Sequence, residues 1–158
     1  RYTSLGRQAI LLGVEGRPHW FPGKPDDLYL SESRNDDVPV VNDGAVDVQP
    51  DRLNVIKLHG SLNWRSADSR GVVVLGGGKR ILIEKHPLLT RFFDIFKAAL
   101  RRHDVHLLVV GYGFADEHIN EVIEKAIASH GLKLFIVDVL TSDDLRRKLS
   151  ATMWHALT

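Results

Sequence analysis

The chain has 158 residues, 44% apolar and 26% charged, with 21 basic against 20 acidic side chains, so its size supports one globular core and its balanced charge offers no basic footprint for a nucleic-acid partner. It contains no cysteine, which excludes disulfides, thiolate catalysis and cysteine-ligated zinc together. No apolar run approaches the roughly 18 residues that cross a bilayer, and charges flank the apolar stretch at 9–14 too closely for a signal peptide, so a cytoplasmic protein without membrane contact is expected.

Residues 3–14 read as a short helix, with Thr3 or Ser4 as cap and Gly13 or Gly16 as stop. Residues 15–50 carry Pro18, Pro22, Pro25, Pro39 and Pro50 among Gly, Asp and Asn. They read as a long irregular insertion with a brief strand near 38–41. The apolar run 55–58 predicts a buried strand that stops at His59-Gly60. Segments 72–75 and 80–83 flank Gly76-Gly77-Gly78-Lys79 and predict a hairpin. Pro87 suits the first position of a helix whose apolar face is Leu88, Leu89, Phe92, Phe93, Phe96 and Leu100, with Arg101 and Arg102 at its carboxyl end.

Residues 106–110 form the next apolar strand. Asp116 is placed as the N-cap of a helix over 117–130, with Ile119, Val122, Ile123, Ala126 and Ile127 inward and Gly131 as its stop. Residues 134–137 give a third continuous apolar strand, ending at Asp138. Ser142 or Asp143 caps a last helix toward Leu149. Strands alternating with helices predict an α/β class, a Rossmann-like parallel sheet with helices on both faces, plus the small hairpin.

Two places carry candidate chemistry. His59 stands where a strand ends, and Gly60 lets the backbone turn sharply or lie close to a ligand. A single histidine there is more often a core residue; Gly60-Ser61 and a second strand-end motif, Gly111-Tyr112-Gly113-Phe114-Ala115-Asp116, favour a site. Trp64 ranks as core before it ranks as a stacking platform, and Tyr112 is open between the two. Gly76-Gly77-Gly78-Lys79 lacks the following Ser or Thr and the spacing of a P-loop. His103 and His106 straddle a helix–strand junction without a third ligand, and His86, His118, His130 and His155 read as surface residues. No metal site is expected.

The run Lys57-Leu58-His59-Gly60-Ser61-Leu62-Asn63-Trp64, with Val110-Gly111-Tyr112-Gly113-Phe114-Ala115-Asp116-Glu117-His118-Ile119-Asn120 downstream, resembles the sirtuin-like (silent-information-regulator-like) domains of bacteria over residues 50–140. The resemblance implies an NAD-binding Rossmann-like domain, with NAD as substrate or ligand. It implies that His59 acts on a ribose hydroxyl, or orders the water that intercepts the sugar cation, while the nicotinamide–ribose bond breaks. A neutral imidazole suits that work. Gly60, Ser61, Gly111, Tyr112, Gly113, Asp116, Asn120 and Asp138 are the implied cofactor-binding residues. Gly111 and Gly113 would admit phosphate or ribose, Asp116 would open the helix, and Asp138 would accept ribose hydroxyls. For the glycines, a turn that needs glycine for geometry alone is the competing reading. Asn120 is open between loop support and plain surface, and Asp138 between a ligand and a solvated turn. The expected activity is NAD hydrolysis, as in bacterial relatives that act in anti-phage defence, with a homo-oligomer or a partner defence protein.

The chain also departs from that family. Its protein deacylases usually carry a four-cysteine zinc module, which is missing here, so deacylation ranks below NAD hydrolysis. The family's glycine-rich opening is not found. Its upstream asparagine–aspartate pair has only Asn42-Asp43 as a counterpart, in the irregular insertion. The chain therefore reads as a single sirtuin-like domain, 1–158, whose amino-terminal portion lies outside it, and the isolated chain is expected to turn NAD over poorly. A non-catalytic module sensing NAD or ADP-ribose, and a purely structural domain, are the alternatives.

Overall fold

In the computed structural model, which describes residues 9–15, 40–41 and 46–158, the chain divides into two units, Arg1–Phe93 and Asp94–Thr158. The first is built of short strands. β1 (Ala9–Leu11) pairs in parallel with β4 (Leu53–Val55). Gly13, at φ 66, turns the chain into β2 (Val14–Glu15), which pairs antiparallel with β3 (Val40–Val41). β3 meets β5 (Gly60–Arg65) in parallel, and β5 meets β6 (Gly71–Val73) antiparallel, giving the order β2-β3-β5-β6. Helix α1 (Lys79–Glu84) follows, and α2 (Pro87–Leu100) begins in this unit and ends in the next.

The core of this unit is an aromatic pair with aliphatic packing. Trp64, 1% exposed, meets Phe92 edge-on with ring centroids 6.2 Å apart, the geometry that aromatic quadrupoles favour. Val72, Val74, Ile83, Leu88 and Leu89 are buried with them. On α2, Leu88, Leu89, Phe92 and Phe93 are buried while Thr90, Arg91 and Asp94 are exposed, the amphipathic stripe that the sequence predicts. The Arg91 guanidinium donates to the Val46 carbonyl at 3.3 and 3.4 Å and ties the chain before β4 to this helix.

The second unit is a βαβ arrangement with two more helices. β7 (His106–Val110), α3 (Glu117–His130) and β8 (Lys133–Val137) follow in order, and the strands pair in parallel from His106 opposite Lys133 to Val110 opposite Val137. Helices α4 (Ser142–Lys148) and α5 (Ala151–His155) complete it. Val109 and Leu134 are buried with Ile123 and Ala126 of α3 and Met153 of α5, and Leu107 and Ile136 pack against them. Leu108, Val110, Phe135 and Val137, on the opposite face of this strand pair, are exposed. The whole is the expected mixed α/β class, a partial Rossmann-like arrangement with a short parallel sheet.

Four local expectations are corrected. The helix placed at 3–14 is strand over Ala9–Leu11 and Val14–Glu15, because a short apolar run does not by its period distinguish helix from strand; residues 1–8 lie outside the described residues. The strand placed at 55–58 ends at Val55, and residues 57–60 form a tight turn into β5, closed by the Gly60 amide donating to the Lys57 carbonyl at 2.9 Å. The hairpin placed at 72–83 does not form: β6 pairs back onto β5, and 79–84 is helix. A strand would put Ile81 and Ile83 on one face, yet Ile81 is 65% exposed and Ile83 buried. The last helix is capped not by Ser142 or Asp143 but by Thr141, whose hydroxyl accepts from the Asp144 amide at 3.2 Å. The brief strand near 38–41 is found as β3; residues 16–39 and 42–45 of the insertion lie outside the described residues.

Candidate functional site

In the first unit, His59 sits at the crest of the 57–60 turn and not at the end of a strand. Its carbonyl accepts from the Val74 amide at 2.9 Å, which pins its backbone beside the β5–β6 ladder, and its side chain is half-buried. Gly60 has φ 72, and a Cβ there would run into the Val72 carbonyl oxygen. Its close approach is therefore to the chain's own backbone. Lys57, which the sequence reading passed over, bridges this turn. Its ammonium donates to the Ser61 hydroxyl at 3.1 Å and stands 5.5 Å from the Trp64 ring centroid. The available signal was a cation inside an apolar run, where it needs such partners. Trp64 is core, as ranked.

In the second unit, the turn from β7 to α3 gathers most of the remaining candidates. The Gly111 amide donates to the Val137 carbonyl at 3.0 Å, extending the ladder one residue beyond β7, and its φ of 62 lets the chain leave the sheet. Phe114 has φ 55, a left-handed conformation that costs a non-glycine residue about 1–2 kcal/mol. Asn120 holds it there: its amide group donates to the Phe114 carbonyl at 2.8 Å, and its carbonyl oxygen lies 3.0 Å from the Tyr112 hydroxyl. That hydroxyl is also 3.2 Å from the Asp116 carbonyl, so one proton serves two acceptors. The rings of Tyr112 and Phe114 lie 4.8 Å apart, with Phe114 buried. Asn120 is thus a loop support and not plain surface.

Burial pushes the Tyr112 phenol up to about 12, helped by the nearby Asp116 carboxylate and opposed by the hydrogen bond to the Asp116 backbone. The hydroxyl is therefore a donor throughout the physiological range. Asp116 occupies the N-cap position with extended dihedrals, and its carbonyl accepts from the Ile119 and Asn120 amides. Its carboxylate does not make the expected cap bond to the helix amides. Asp138 follows β8 and accepts the Leu140 amide at 3.0 Å, a turn of its own making. Because Val110 lies opposite Val137, Gly111 and Asp138 leave neighbouring strand ends.

Gly113 differs from the other glycines of the two motifs. It has no positive φ, and a Cβ added to it would meet nothing within 4 Å. Neither backbone strain nor crowding inside the chain calls for glycine there. Gly111 likewise faces open space, though its φ favours glycine. The turn lies beside the amino end of α3 and at the carboxyl ends of two parallel strands, the position at which α/β sheets commonly receive ligands. Asn42-Asp43 lies outside the described residues.

The fold defines a mixed α/β domain of partial Rossmann-like type. A SIR2-like domain family model matches residues 17–156, and the chain belongs to that family, whose domains bind and use NAD. No curated protein and no solved structure matches it. Among the described residues, no helix is long and apolar enough to cross a membrane.

Proposed function

We propose that the protein hydrolyses NAD at the nicotinamide–ribose bond. Gly113 carries this reading: a glycine that the chain's own geometry does not need, in the strand-end turn of a SIR2-like domain, is accounted for by a ligand lying against its backbone. The amino end of α3 favours the dinucleotide's negative charge, Tyr112 and Asn120 hold the turn in shape, and Asp138 accepts ribose hydroxyls. His59 takes a proton from water as the water oxygen bonds to the ribose carbon. Nicotinamide leaves with the electron pair of the broken bond, and His59 passes the proton to solvent. The products are nicotinamide and ADP-ribose. Depletion of NAD in this way fits a role in bacterial anti-phage defence.

The test is nicotinamide release from NAD by the full chain, followed by chromatography, with and without His59→Ala. The expected result is a loss of about 10²–10⁴-fold in rate with NAD binding retained by calorimetry. Equal release by the variant overturns the role of His59. Binding without release by the native protein replaces hydrolysis with sensing. Release of an acyl group from peptide would make the protein a deacylase. Absence of NAD binding overturns the reading as a whole.

A further inference from the structure

Away from the β7–α3 turn, the second unit has a groove of about 550 Å³ between the carboxyl-terminal halves of α2 and α3. That volume lies within the range of small-molecule sites. Lys97 of α2 and Arg101 just beyond its end line it on one side, and Lys125, Ser129 and His130 of α3 on the other, with Val122 as an apolar part of the lining. No carboxylate lines it. Lys97 pairs with Asp94 at 3.3 Å, but Arg101 and Lys125 make no ion pair among the described residues. His130 was expected at the surface. Instead its Nδ1 is enclosed and has no hydrogen-bond partner among the described residues.

Cations at the carboxyl ends of helices can serve the helix dipole alone, and Arg101 fits that explanation. Lys125 does not, because it precedes the last turn of α3, and its charge shares the groove with Lys97 and Arg101. Like charges on one small groove repel unless an anion joins them. We infer that this groove binds a small organic phosphate carrying at least two negative charges, with its apolar body over Val122. The phosphate accepts from Arg101, Lys125 and the Ser129 hydroxyl, and Arg101 supplies the planar fork that suits it. This site is independent of the NAD reading and uses none of its residues.

The test is titration of the full chain with AMP and with inorganic pyrophosphate, followed residue by residue by NMR, alongside the variant Arg101→Gln/Lys125→Gln. Both side chains are exposed, so the variant is expected to keep the native unfolding midpoint. The expected result is saturable shifts at Val122, Ser129 and His130, weakened tenfold or more in the variant, with NAD binding unchanged. Should the variant fail to fold, Lys97→Gln alone is expected to weaken binding in the same direction. Shifts confined to 111–120, affinity equal in native and variant protein, or no saturable binding would each overturn the proposal. Failure of NAD turnover would leave it untouched.

Discussion

At the scale of single residues, Gly60 and Gly113 look alike in the sequence and are opposites in the structure. Gly60 combines φ 72 with backbone directly over the position of a Cβ. Gly60→Ala is therefore expected to destabilise the protein by at least about 1–3 kcal/mol, read as a shift in the urea midpoint. Gly113 has neither constraint. Gly113→Val is expected to leave that midpoint within about 0.5 kcal/mol while NAD affinity falls at least tenfold. If Gly113→Val unfolds the chain instead, the case for a ligand at its backbone is lost. Tyr112 offers a second residue-scale test. Its folded pKa of about 12 lies above the ordinary 10, so the native state holds the proton more tightly than the unfolded chain. The stability this contributes is complete below pH 10 and is lost as pH rises through about 12. The difference in thermal midpoint between native protein and Tyr112→Phe should narrow across that window. A difference that stays flat would mean the phenol is not sheltered as described.

At the scale of elements, the sequence was most legible where apolar periodicity ran long. α2 and α3 cover 14 residues each, and both fall where their stripes put them. α3 even ends at Gly131, whose φ of 68 supplies the left-handed stop. The shorter elements were not legible by the same rule. α1, with 6 residues, and β1, with 3, are too brief for period 3.6 to be told from period 2. α5 was missed for the same reason, although Ser150 marks its start by accepting from the Met153 amide at 3.3 Å. At the site, residue types and strand-end placement were readable, but not the bonds: the hold of Asn120 on Phe114 spans six residues, and that of Lys57 on Ser61 crosses a turn. Such contacts depend on backbone conformations that composition does not encode. The caps of the short helices can be tested directly. Thr141→Ala and Ser150→Ala are each expected to cost about 1 kcal/mol, because each leaves a first-turn amide without its side-chain acceptor. Amide exchange should accelerate in α4 for the first variant and in α5 for the second. Exchange that stays unchanged in both would show these helices to be held by packing alone.

At the scale of the whole molecule, the two faces of the β7–β8 pair pose the sharpest physical contrast. Leu134 is 0% exposed and sits in the cluster formed with α3 and α5, whereas Leu108, on the other face of the same strand pair, is 62% exposed. Parallel strands are ordinarily apolar on both sides because helices cover both, and the residues here keep that composition, while among the described residues only one of the two faces is buried. The two leucines therefore contribute very differently to stability. Leu134→Ala is expected to cost about 2–5 kcal/mol, since it removes buried methyl groups and leaves a cavity among packed neighbours. Leu108→Thr puts a β-branched residue in the strand and gives up little burial. It is expected to move the unfolding free energy by no more than about 0.5 kcal/mol and to lower light scattering at high concentration. Both effects are read from urea midpoints on the same preparation. A cost for Leu108→Thr that rivals that of Leu134→Ala would show this face to be buried in solution, and the contrast between the two faces would no longer hold.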